Sequence, residues 1–118
     1  MPHEEMPLPE EPAAAAQMLL ESSLQAPVLV FKKSPICPVS TMAESNLMSW
    51  LSMREDVPLK VCVVDVIAAR ELARGLTREL GIRHESPQAL VFKNGEFIWH
   101  DSHGGLTEDA FSAVLDAD

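Results

Sequence analysis

Apolar residues along the chain follow two periods, and the switches between them outline its elements. Residues 27–33 hold Val28, Leu29, Val30 and Phe31 in an unbroken run, the pattern of a short strand covered on both faces. After Ser34-Pro35 and Cys37-Pro38 the spacing becomes helical, with Val39, Met42, Ala43, Leu47, Trp50 and Leu51 recurring along one stripe. Residues 59–64 return to a strand pattern. Asp65 stands where it can cap a helix that carries Ala69, Leu72, Ala73, Leu76 and Leu80 on one face before Gly81 ends it. Asn94-Gly95, between residues 88–93 and 96–101, predicts a tight hairpin. Upstream, residues 13–24 favour helix, with Pro12 at its first position. Downstream, Thr107 caps a short helix that buries Phe111, Val114 and Leu115, with Leu106 stapled against Phe111.

The order helix, strand, helix, strand, helix, hairpin, helix predicts an α/β domain. Two strand-helix-strand connections imply parallel strands, and the hairpin adds an antiparallel edge. The result is a four-stranded mixed sheet with helices on both faces. No internal repeat is visible. Residues 1–12 contain four prolines and four glutamates and read as an acidic, flexible tail, leaving 13–118 as a single domain.

Composition narrows the classes. A chain of 118 residues, 47% apolar and 23% charged, builds one core without needing metal or disulfides. No apolar run approaches the ~18 residues of a membrane span. The acidic N-terminus with its short Ala13–Ala16 run does not read as a secretory signal. Two cysteines make no disulfide scaffold, so a reducing cytoplasm is the expected location. Of the net charge of -9, residues 1–12 and 107–118 carry eight, so the body is almost neutral. Without a basic stripe or basic amphipathic helix, neither nucleic acid nor a membrane surface is an expected partner. Nothing demands more than a monomer.

One residue stands out for chemistry. Cys37 follows the first buried strand directly, with Pro38 at the first position of the next helix. Unpaired N–H groups and the dipole at a helix start favour negative charge there, and the thiolate is the reactive form of cysteine. Lys32 and Lys33 can assist if either turns toward the sulfur, and Ser40 can donate to it or cap the helix. Cys62, in mid-strand, should lie ~10 Å below the level of Cys37, beyond disulfide reach without rearrangement. His84 is either a tuner of the sulfur's protonation or an ordinary loop histidine. Trp50 continues a core face, whereas Trp99 is expected to be partly exposed. His100, Asp101 and His103 lack the further ligands of a metal site, so no metal is expected.

A strand, Cys-Pro at a helix start and Ser86-Pro87 just before a hairpin together resemble the thioredoxin fold. Residues 33–40, Lys-Ser-Pro-Ile-Cys-Pro-Val-Ser, are similar to the Lys-His-Ser-x-x-Cys-Pro-Ile-Ser of the monothiol bacilliredoxins, the YtxJ or BrxC family. His84-Glu85-Ser86-Pro87-Gln88-Ala89, Asn94-Gly95-Glu96, Trp99 and His103-Gly104 extend the resemblance over about residues 16–115. Ile36, where a polar residue is common, Pro35 and the acidic tail depart from it. The resemblance implies a thioredoxin/glutaredoxin-like fold with a cis bond between Ser86 and Pro87. It implies a thiol-disulfide oxidoreductase in which Cys37 is the nucleophile and Ser40 stands where dithiol relatives have a second cysteine. Cys37 would take bacillithiol, or another low-molecular-weight thiol serving as co-substrate, from S-thiolated client proteins, with no tightly bound cofactor. Pro38, Ser40, Ser86 and Pro87 would support the site, and Lys33, His84, Gly104 and Gly105 are candidates for holding substrate. Gly104-Gly105 either form an anion nest or serve a tight connection. Alternatives are a non-catalytic binding or redox-sensing module, and an iron-sulfur carrier of the monothiol glutaredoxin kind.

Overall fold

The structure is a computed structural model whose described residues are 3–54 and 58–116. In chain order they form β1 (His3–Glu5), α1 (Pro12–Ser22), β2 (Val28–Lys33), α2 (Pro38–Ser52), β3 (Leu59–Asp65), α3 (Arg70–Leu80), β4 (Gln88–Lys93), β5 (Glu96–Ser102), a 3-10 turn (His103–Gly105) and α4 (Glu108–Leu115). The strands lie in the order β1-β3-β2-β4-β5. The β2–β3 pair is parallel, while β2–β4 and β4–β5 are antiparallel.

The unbroken apolar runs are the central strands, and alternation along them splits the core in two. Val28 and Val30 join Leu90, Phe92, Cys62 and Val64 beneath α1 and α3. Leu29 and Phe31 join Ala89, Val91 and Val61 beneath α2 and α4. This is the both-faces burial expected when helices cover each side of a sheet. Asn94 and Gly95 both take positive φ (56° and 81°), as a two-residue hairpin turn with right-handed twist requires. Ser23, one residue past α1, holds that turn: its carbonyl accepts from the Asn94 amide and its hydroxyl from the Gly95 amide. Gly81 ends α3 at φ 74°, and Thr107 caps α4 through the Ala110 amide.

Two expectations are corrected. The sheet has five strands rather than four, because residues 3–5 pair with Leu59–Val61 in parallel register. The prolines and glutamates that read as a flexible tail conceal this strand: backbone pairing at an edge needs no side-chain pattern. Met6 is buried against the α1–α3 core and its amide donates to the Val61 carbonyl, while the Glu11 carboxylate caps α1 at the Ala13 and Ala14 amides. Residues 1 and 2 of that segment, and 117 and 118 at the other end, lie outside the described residues. Asp65 caps a preceding turn rather than α3 itself, accepting from Ile67 and Ala68, and these bonds hold its carboxyl below the usual carboxylate range.

Candidate active site

Cys37 occupies the N-cap of α2 in extended geometry, with Pro38 at the first helical position. Proline contributes no N–H, so the free amides of that first turn facing the cap are those of Val39 and Ser40. The thiol itself makes no capping bond. The loop that presents it is closed by Ser40, whose buried hydroxyl accepts from the Ser34 amide at 2.9 Å. Ser40 is therefore a loop brace, where the sequence suggested a helix cap or a donor to sulfur. Around Cys37 the surface is apolar: Ile36 is 81% exposed, with Val39 and Met42 also exposed on the first turns of α2.

β2 and β4 are neighbours, with Lys32 opposite Gln88. Chain leaving β2 toward Cys37 and chain entering β4 from Pro87 therefore meet at one end of the sheet. The Ser86-Pro87 bond is cis. Pro87 is buried, and its carbonyl accepts from the His103 amide, which fastens the 3-10 turn beside it. The Ser86 hydroxyl is buried and finds no partner among the described residues.

Neither lysine turns as the sequence suggested. Lys33 lies on the α2 side of the sheet and pairs with Glu44 at 3.2 Å. Lys32 points to the other side and is fully buried, its ammonium 2.7 Å from His84 Nδ1 and 2.7 Å from Gln88 Oε1. Burial pushes Lys32 down to about 7; the Arg74 charge acts the same way and Glu85 opposes it. His84 is likewise held below its ordinary range, chiefly by burial and then by the charges of Lys32 and Arg74. Its ring also hydrogen-bonds the Ala73 carbonyl. A charged ammonium only donates, so beside it Nδ1 accepts from Lys32 and the ring's proton sits on Nε2. Glu85 is held low mainly by the Ser102 hydroxyl, and His103 stands 3.8 Å from its carboxylate. Sequence reasoning named His84 but missed the Lys32–Gln88 pairing, since the partners stand 56 positions apart.

Gly104 has open space about it, whereas a Cβ on Gly105 would lie 2.6 Å from both carboxylate oxygens of Asp101. A side chain at Gly105 would therefore have to push the Asp101 carboxylate aside, and the anion beside this glycine is the chain's own. Cys62 is 1% exposed, and burial pushes its thiol up to about 12. It faces the α1–α3 core, on the opposite side of the sheet from the residues that pack under α2. Trp50 is buried, and its indole N–H donates to Ser112; Trp99 is half-buried over Phe111.

The model of the family described as monothiol bacilliredoxin BrxC matches residues 11–111. The chain belongs to this family. Solved structures place the bacilliredoxin-family chain in the thioredoxin fold. One thioredoxin-fold structure, a putative oxidoreductase by its description, superposes with a TM-score of 0.74 at 25% identity, covering 95% of this chain and 92% of the other. A thioredoxin O2 from Arabidopsis thaliana gives 0.68 at 11% identity, covering 97% and 95%. A mutant thioredoxin from Halobacterium salinarum NRC-1 gives 0.66 at 21%, covering 98% and 90%. Family and fold together give this bacilliredoxin-family protein a thiol redox function. None of its described helices is long and apolar enough to cross a membrane.

Proposed function

We propose that this protein is a thiol-disulfide oxidoreductase that removes bacillithiol from mixed disulfides on client proteins, with Cys37 as the nucleophile. One observation carries the reading: Cys37 stands at a helix N-cap at the protein surface, while the other cysteine is buried on the far side of the sheet. The Cys37 thiolate attacks the bacillithiol sulfur. The new bond joins Cys37 to bacillithiol, the old disulfide breaks, and its electron pair leaves with the client's sulfur as a thiolate. A second bacillithiol thiolate then attacks the adduct, releasing bacillithiol disulfide and the Cys37 thiolate. With Ser40 engaged by the Ser34 amide and Cys62 out of reach, the adduct has no internal thiol to resolve it.

Several features support the substrate's placement. The free amides of Val39 and Ser40 in the first turn of α2 are available to a group held at the Cys37 N-cap. The exposed apolar Ile36, Val39 and Met42 suit a protein client beside the cysteine. Ser86 would pair with the client's main chain as a strand does, and its unpartnered hydroxyl would gain a bond from the incoming chain. The Asp101 carboxylate beside Gly105 makes the Gly104 amide the better candidate for an anionic group of the small thiol. A reducing compartment fits chemistry that depends on a free thiol.

The test is intact mass of a bacillithiolated client mixed with reduced wild type or Cys37→Ser. Release of the client thiol by wild type alone is expected, with one bacillithiol adduct appearing on the enzyme. Equal release by both proteins would refute the role of Cys37. Transfer from a glutathionylated client but not from a bacillithiolated one would refute the assignment of the thiol.

A further inference from the structure

The buried cluster of Lys32, His84 and Gln88 has a construction that the transfer chemistry alone does not call for. Gln88 closes the segment that precedes it: its Oε1 accepts from the Glu85 amide at 3.3 Å, and its Nε2 donates to the Arg83 carbonyl at 2.9 Å. Lys32 holds that same Oε1 and, on the other side, His84 Nδ1, both at 2.7 Å. One fully buried ammonium therefore grips the segment 83–88 at two points, and Ser86 and Pro87 lie between them.

We propose that Lys32 is a positioning residue for the Ser86-Pro87 segment, and that its charge sets how firmly this segment is held for client binding. The positioning role rests on the functional reading above; the grip itself does not. Charged, Lys32 gives both acceptors charge-assisted bonds, which are shorter and stronger than neutral ones. Neutral, it still reaches them, but with weaker bonds. The groups facing it are Arg74 from α3, His84 and Glu85 from the loop, uncharged Gln88 from β4 and, on the same side of β3, the neutral thiol of Cys62. A guanidinium does not deprotonate in proteins, so the balance is set by Lys32 and His84. The Nδ1 contact fits one proton between that pair, because His84 protonated at both nitrogens would have no acceptor left for a charged lysine.

The experiment compares wild type and Lys32→Met across roughly pH 6 to 9, the range over which neutral-range groups titrate. Two rates are followed: thiol transfer from a bacillithiolated peptide client, and alkylation of Cys37 by iodoacetamide, which needs no client groove. Their ratio removes the titration of the sulfur. In wild type the ratio is expected to fall as pH rises through neutrality, in step with the Lys32 side-chain nitrogen signal by NMR. In Lys32→Met it is expected to be pH-independent and, at the acid end, about tenfold lower, in line with a loosened reacting geometry. Persistence of the wild-type pH dependence in Lys32→Met, or a Lys32 signal titrating elsewhere, overturns the proposal. Exchange of the Glu85 amide gives a second readout, free of turnover: protection should fall in Lys32→Met, and unchanged protection overturns the grip. Absence of transfer by wild type, with the Glu85 amide behaving as expected, would overturn the functional reading and not the grip.

Discussion

Replacing Lys32 by methionine should change how stability depends on pH, and the sign follows from the burial of its ammonium. Lys32 releases its proton at about 7 in the folded protein, against 10.5 ordinarily. Between these values the unfolded chain holds a proton that the folded chain has shed, so wild type gains stability as pH rises through that window. Below it, both states are protonated and the full cost of burying the charge is present. The difference in pKa sets an upper limit of ~5 kcal/mol, and residual screening reduces it to about 2–3 kcal/mol. Lys32→Met keeps most of the volume and removes the titrating group, but leaves His84 Nδ1 without its donor, at ~1–2 kcal/mol independent of that titration. The variant should therefore equal or exceed wild type at pH ~7 and fall below it at pH ~10, a relative change of about 2 kcal/mol. Urea unfolding of both proteins at the two pH values measures it, and the subtraction cancels the shared groups that do not interact with Lys32. Parallel stability curves, or wild type losing ground as pH rises, would refute the reasoning.

Three further outcomes follow from the packing. Cys62→Ser should destabilise the fold by ~1–2 kcal/mol, because it puts a hydroxyl into the core beneath α1 and α3, while thiol transfer by Cys37 continues at the wild-type rate; a loss of transfer in a folded Cys62→Ser would show that the second cysteine takes part. Gly105→Ala should cost under ~1 kcal/mol by thermal unfolding, since its Cβ displaces only the end of the Asp101 side chain, which gives up its bond to the Ser102 amide, and that cost should vanish in an Asp101→Ala background. Met6→Ala should cost ~2 kcal/mol, as a buried side chain packed beneath an edge strand does and a loose tail would not.

Much of this architecture was legible in the order of residues because the information was local. An unbroken apolar run marked β2, Asn94-Gly95 marked the β4–β5 hairpin, and Thr107 with Leu106 and Phe111 marked the start of α4. Cys37 was legible for the same reason: strand, short loop, cysteine and proline follow within a few residues, and their physical consequence is a helix N-cap. Features that escaped depend on partners distant in the chain. β1 is held by backbone bonds to a strand more than fifty residues away, so its glutamates and prolines misled. Lys32 continues a strand whose earlier residues are apolar, and only its register opposite Gln88 shows that its ammonium is buried and satisfied. Whether Gly105 serves a ligand's anion or a tight connection stayed open in the sequence because the side chain of Asp101, four residues earlier, could not be placed beside it.

The central claim is that this chain works with one thiol. Its most direct test is to treat the reduced wild-type protein with bacillithiol disulfide and locate the product by peptide mass mapping. The account predicts one bacillithiol on Cys37 and an unmodified Cys62. A Cys37–Cys62 disulfide, seen as the loss of two hydrogens with no adduct retained, or bacillithiol on Cys62 with Cys37 free, would contradict it.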